Sequence, residues 1–292
     1  MLYYISIFQK KERMKTMEKV YLQMASYSMS GSNLDFEGQL ALTGKMGYTG
    51  VEFAGSNYGG MNAEQLNATL KKYGIGAISA HVRLENVLKD LPLIKAVGCK
   101  YIIVASHYFT NEAETKALAA QMNEIGKKCR EEGIWLGYHN HTAEFNTDGG
   151  KYLLEILIEN TDPQYVVFQI DAGWAAAAGI DVIAFFKKHA GRIKLIHANE
   201  SDIVIGPEKP HNMADRKLDE NGRPVFSEEE MILRKKKNEA DCPMGKGLLN
   251  WNEAIAVARE IGVEEYIVER RHSYAPELET SLKEDLEFLR KI

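Results

Sequence analysis

The chain has 292 residues, 45% hydrophobic and 26% charged, the balance of an ordinary globular protein able to bury a substantial core. A net charge of −5 argues against a phosphate-backbone partner, which needs clustered Lys and Arg, so no nucleic acid is expected. Three scattered cysteines, Cys99, Cys129 and Cys242, match no metal spacing and suggest thiols in a reducing compartment rather than a disulfide framework.

The opening "MLYYISIF" is apolar, but its bases follow it and it is too short to span a bilayer. Residues 1–17 read as a disordered tail ahead of a single domain over 18–292, with a cytoplasmic location and no membrane partner expected. Short β-rich runs then recur at 20–25, 50–54, 75–82, 101–105, 134–139, 166–171, 193–198 and 265–269. Most are apolar throughout rather than alternating, as strands covered on both faces are. Helical stretches lie between and after them at 35–46, 62–73, 84–97, 111–132, 150–160, 180–190, 250–261 and 276–291, and several strands are announced by a glycine that stops the preceding helix. Eight alternating units predict a (β/α)8 TIM barrel. A doubly wound open sheet is the rival, but "SYSMSGSN" after the first strand carries no Gly-rich phosphate fingerprint. A polar, turn-rich insert over 206–247 follows the seventh strand and belongs on the C-terminal face as a candidate lid or oligomer contact. Within it "SEEEMILRKKK" predicts a short helix with acids at its start and bases at its end.

Six of the eight histidines, His81, His107, His139, His141, His197 and His272, fall at or just past a strand's C-terminal end, the active face of characterised barrels. Residues 138–145, YHNHTAEF, concentrate two of them with a carboxylate. In chain order the last four strands offer Glu144, Asp171, His197 and Glu269, an oxygen-rich set suited to a divalent cation such as Mn²⁺, Mg²⁺ or Co²⁺.

The pieces "GYHNHTAEF", "QIDAGWAAAAGID", "IKLIHANES", "GKGLLNW" and "YIVERRH" together resemble the xylose isomerase-like barrel superfamily, and in it the sugar phosphate isomerase/epimerase branch. The resemblance runs over residues 20–292. It implies one catalytic divalent metal held by Glu144, Asp171, His197 and Glu269, with Mn²⁺ first and Mg²⁺, Co²⁺ and Zn²⁺ as alternatives. Two departures stand out. Many relatives carry the first metal Glu inside the fifth strand, where this chain has Gly137 and His139, so His139 or His141 is an alternative to Glu144. Relatives also often read His-x-Lys-Asp after the seventh strand, where this chain reads "HANE", closer to the ketose 3-epimerase style.

A metal in such a set acts as a Lewis acid on a carbonyl while a base removes the neighbouring proton. His141 is the first candidate for the base, with Glu144 and Glu269 as alternatives. Glu52, His81, His107, His139, Trp174, Glu200, Lys246 and Arg271 are placed for substrate contacts. The expected activity is a metal-dependent isomerase or epimerase of a small-molecule sugar or keto-sugar. A lyase or hydratase of a keto-sugar, keto-glycoside or keto-inositol on the same site is the alternative, and a non-catalytic sugar-binding protein is the alternative of another class. A homo-oligomer is allowed for, although no apolar stripe demands one.

Overall fold

In the computed structural model, which describes residues 19–210 and 225–292, eight parallel strands close into a barrel. They are β1 (Val20–Gln23), β2 (Gly50–Phe53), β3 (Gly76–Val82), β4 (Tyr101–Val104), β5 (Trp135–His139), β6 (Val166–Asp171), β7 (Ile193–Ala198) and β8 (Glu265–Val268). Each pairs with its chain neighbours, and β1 closes on β8 through Val20 opposite Tyr266. This is the (β/α)8 architecture that the alternating runs predict. The 1–17 tail lies outside the described residues.

The strands read as apolar runs because both faces are covered. One face packs on the helices, as Leu22, Val51, Ile102, Leu136, Phe168 and Ile196 do. The other face fills the lumen, where Tyr21, Ile78, Tyr101, Ile103, Val167, Leu195 and Ile267 form a separate apolar cluster with Trp135 against it. Above this plug the same alternation puts polar side chains inward, among them Gln23, Glu52, His139, Gln169 and His197, all fully or almost fully buried. Gly137 sits in the lumen where a Cβ would come within 2.5 Å of Ile103 Cδ1. A side chain at this inward position would require Ile103 to shift.

Helix ends follow the local chemistry closely. Asp35, Asn62, Asn111, Asp181 and Asn250 each accept a hydrogen bond from a first-turn N–H. The stretch at 150–160 differs from expectation: Lys151–Tyr152 pairs with Thr147–Asp148 as a small antiparallel ribbon, and the helix spans Leu153–Asn160. An unexpected short helix, Ala172–Ala177, follows β6, capped by Asp171 itself.

The insert helix spans Glu228–Glu239, with Ser227 and Glu230 forming a reciprocal capping box. The segments flanking it are tied to the barrel. On one side, Glu208 Oε2 accepts from Thr142 Oγ1 and from Lys237 Nζ, each at 2.7 Å. On the other, buried Asp241 bonds the Arg270 guanidinium and accepts from the backbone N–H groups of Arg271 and His272. The helix is thereby strapped across the C-terminal mouth, between the loops that follow β5 and β8.

Candidate active site

The site grows from the ends of β5 to β8. Ligand atoms of His139, Asp171, His197 and Glu269 all lie within 4.8 Å of one another, and all four residues are buried. Strand alternation aims them together: His139, Asp171 and His197 stand at inward positions near the ends of adjacent strands, and Glu269 directly follows β8. Asp171 is held by the cap it provides, its Oδ1 accepting from Trp174 N at 2.7 Å. Asn140 Oδ1 accepts from Asp171 N at 3.1 Å and so ties the end of β5 to β6.

Below the group a hydrogen-bond network turns on Glu52 and Gln169. Glu52 Oε2 accepts from Ser79 Oγ at 2.6 Å and Gln169 Nε2 at 2.7 Å. Its Oε1 accepts from Gln23 Nε2 at 2.8 Å and lies 2.5 Å from His197 Nε2 and 2.9 Å from His81 Nε2. Gln169 Oε1 in turn faces His81 Nε2 at 2.8 Å and His139 Nδ1 at 3.0 Å. A carboxylate and an amide oxygen can only accept, so the network assigns the protons to Nε2 of His197 and His81 and to Nδ1 of His139. That leaves His139 Nε2 and His197 Nδ1 turned toward the four-residue group.

His197 Nδ1 is buried with no hydrogen-bond partner, and its nearest carboxylate oxygens are Glu269 Oε2 at 3.4 Å and Asp171 Oδ2 at 4.0 Å. An unpaired buried nitrogen facing two carboxylates fits a metal ligand whose other nitrogen is oriented by an acid. The charges of the group are set by burial and by its neighbours. Burial pushes the Asp171 carboxyl up to about 7. Burial opposes the charge on His197, yet Glu52 and Glu269 outweigh it and lift the imidazole to about 10. Burial and the neighbouring imidazoles hold His139 well below its usual range.

Glu144 is not brought into this group. Its carboxylate accepts from Tyr138 OH at 2.9 Å and from the His141 backbone N–H at 2.8 Å, clamping the loop, and His139 takes the fourth place. Three other expected substrate contacts are also placed differently. Glu52 lies at the centre of the lumen network, fully buried. Glu200 turns outward to Gly245 N and Trp251 Nε1, bracing the "GKGLLNW" loop from below. Lys246 stands exposed on that loop and is absent from the cavity walls. His81 packs against both His139 and His197, with ring centroids 4.8 and 5.1 Å away.

His141, His107 and Glu144 do line a cavity of about 430 Å³, together with Lys237 of the insert helix. Burial holds His141 below its usual range, so it is neutral near pH 7. Trp174 carries two cations against its ring: Arg271, its guanidinium carbon 3.9 Å from the centroid, and Lys237, its Nζ at 4.3 Å. Gln23, Ser79, Gln169, Glu208 and Lys237 are functional neighbours that the sequence reading missed. Gln169 had a signal, since it alternates with Asp171 in an otherwise apolar strand; the Lys237–Glu208 pair had none.

Fold and site define a barrel with a buried imidazole–carboxylate cluster at its C-terminal mouth, and the chain belongs to the family described as xylose isomerase-like TIM barrel, whose profile matches residues 40–292. Among curated relatives, an inosose dehydratase of Mesomycoplasma hyopneumoniae (strain 7448) is 28% identical over 198 residues, 58% of this chain and 64% of that protein. The chain thus matches less than two thirds of that relative's length. An inosose dehydratase of Clostridium beijerinckii is 32% identical over 100 residues, 34% of this chain and 32% of its own. A sugar phosphate isomerase/epimerase from Parabacteroides distasonis shares the fold with a TM-score of 0.68 at 21% identity, covering 95% of both chains. A structure described as IOLI protein with a binding zinc atom does so with a TM-score of 0.65 at 15% identity, covering 94% of this chain and 95% of its own. No helix among the described residues is long and apolar enough to cross a membrane.

Proposed function

We propose that the protein is a metal-dependent lyase that removes water from a keto-sugar or keto-polyol, with His139, Asp171, His197 and Glu269 holding one divalent cation. The observation that carries this is His197 Nδ1, buried without a hydrogen-bond partner and facing the Glu269 and Asp171 carboxylates. Two imidazoles with two carboxylates form a softer set than the three carboxylates expected from sequence, which favours Zn²⁺, Co²⁺ or Mn²⁺ over Mg²⁺. A cation there supplies Lewis acidity to a substrate carbonyl and makes the adjoining C–H more acidic.

The residues then divide the work. His141, neutral and next to His139 with ring centroids 4.9 Å apart, accepts the proton from the carbon beside the carbonyl. Returned to a departing β-hydroxyl, that proton leaves as part of water and a conjugated enone remains. Returned to carbon, it gives an epimer or isomer, the outcome expected first from sequence. The dehydratase names of the curated relatives favour elimination. His107 lines the adjoining cavity, and Trp174, beside His141, with Arg271 against its ring, completes the candidate substrate contacts, while Glu144 holds the loop that presents His141.

The test is incubation of the Zn²⁺- or Mn²⁺-loaded protein with inosose and a panel of keto-sugars in D₂O. Growth of enone or dione absorbance, abolished in His141→Ala, is the expected result. Deuterium entering recovered substrate without water loss would replace the lyase by an epimerase. Absence of both across the panel would end the keto-sugar reading.

A further inference from the structure

The cavity of about 430 Å³ is not the space around the candidate metal group. None of His139, Asp171, His197 and Glu269 lines it. Among its lining residues His141 adjoins the group, its ring centroid 4.9 Å from that of His139, and the walls come from the loops after β4 and β5 and from the insert. A keto ring with its carbonyl at the four ligand residues and its reacting C–H at His141 enters this volume only at the His141 edge and leaves the rest to be filled by something else.

We propose that the cavity receives a second unit joined to the keto ring, so that the substrate class is a keto-glycoside rather than a free keto-sugar. This rests on the keto-sugar reading above and adds to it. The walls have the mixed character that a second sugar ring or a similar half-polar group requires. Tyr108, Phe226 and Leu233 offer apolar faces, while His107 and Lys237 offer hydrogen bonds at the edges.

The insert helix supports the same conclusion. Glu230, Leu233 and Lys237, at i, i+3 and i+7, share one half-buried face and all three line the cavity. Between them Met231 and Ile232 point away, 55% and 62% exposed. One wall of the cavity thus exists only because the insert is strapped over the mouth, through Lys237 and Glu208. Contacts this far from the reacting carbon can contribute binding energy that holds the reacting ring in place.

The experiment is calorimetric titration of the metal-loaded full chain with a keto-disaccharide and with the keto-monosaccharide matching its oxidised ring. The disaccharide is expected to bind at least about tenfold more tightly. Leu233→Trp, which fills the cavity from the helix, should erase that difference and leave monosaccharide binding unchanged. Tyr108→Ala, in an exposed loop, should reduce the difference without risk to the fold. Equal affinity of the two ligands for the wild type overturns the proposal, as does a Leu233→Trp variant that weakens both alike, since the cavity would then hold the reacting ring itself. Monosaccharide binding without gain from the second unit overturns this proposal alone. If neither ligand binds protein that retains its metal, the keto-sugar reading falls with it.

Discussion

At neutral pH the two imidazoles of the candidate metal group stand in opposite states. His139 is kept neutral by burial, while His197, lifted to about 10 by Glu52 and Glu269 against its burial, carries a proton that a metal must displace. Metal uptake therefore releases a proton, and affinity should rise with pH by about tenfold per unit below the His197 value. Below pH about 7 the slope should steepen, because Asp171 is then protonated as well. Zn²⁺ titrations in buffers of differing ionisation enthalpy measure this directly; a pH-independent affinity would mean that His197 is not a ligand. Glu52→Gln tests the network beneath. Losing the acceptor that holds the His197 Nε2 proton should cost about 10–100-fold in metal affinity. An unchanged affinity in a folded Glu52→Gln variant would reduce the network to packing.

At the scale of elements, the loop after β8 depends on one buried cation. Arg270, 1% exposed, donates to Asp285 Oδ2 from Nε at 2.9 Å and from Nη2 at 2.7 Å, and bonds Asp241 from Nη1. It joins the strap of the insert to the final helix, Leu278–Lys291. Replacing it by Met would leave two buried carboxylates without their counter-charge, at a cost of about 3–5 kcal/mol, read as a large fall in the thermal midpoint. Burial already pushes Asp285 up to about 6 although Arg270 lowers it; without that cation the carboxyl rises further, so the Arg270→Met protein should recover part of its loss as the pH falls, beginning above that value. The "RRHSY" stretch beside Glu269 gave no hint of this partnership, because Arg270 and Asp241 meet only across the insert.

On the scale of the whole molecule, the barrel has an apolar base and a polar top, and the proposed ligands come from the ends of four successive strands, from His139 to Glu269. A cation that binds them binds only the folded state. Free Zn²⁺ at about 100 times its Kd should add about 2.7 kcal/mol to stability, a rise of several degrees in Tm that EDTA reverses. A Tm indifferent to metal and chelator would remove the four-residue site. The same change in a Glu269→Gln variant as in the wild type would place the metal elsewhere.

The amino-acid sequence by itself determined the barrel. Apolar runs and glycine stops are local signals, and eight of them in alternation with helices leave few architectures open. It also placed Asp171, His197 and Glu269 at the strand ends where the structure brings them together. That His139 rather than Glu144 joins the cluster was left to the tertiary structure, because Tyr138 and the His141 backbone take up the Glu144 carboxylate. So did the tautomers set by Glu52 and Gln169 from β2 and β6, and the cavity wall supplied by a helix some ninety residues beyond His141 in the chain. Strand pattern reports which way a side chain points, whereas the identity of the group it meets is decided only when the barrel closes.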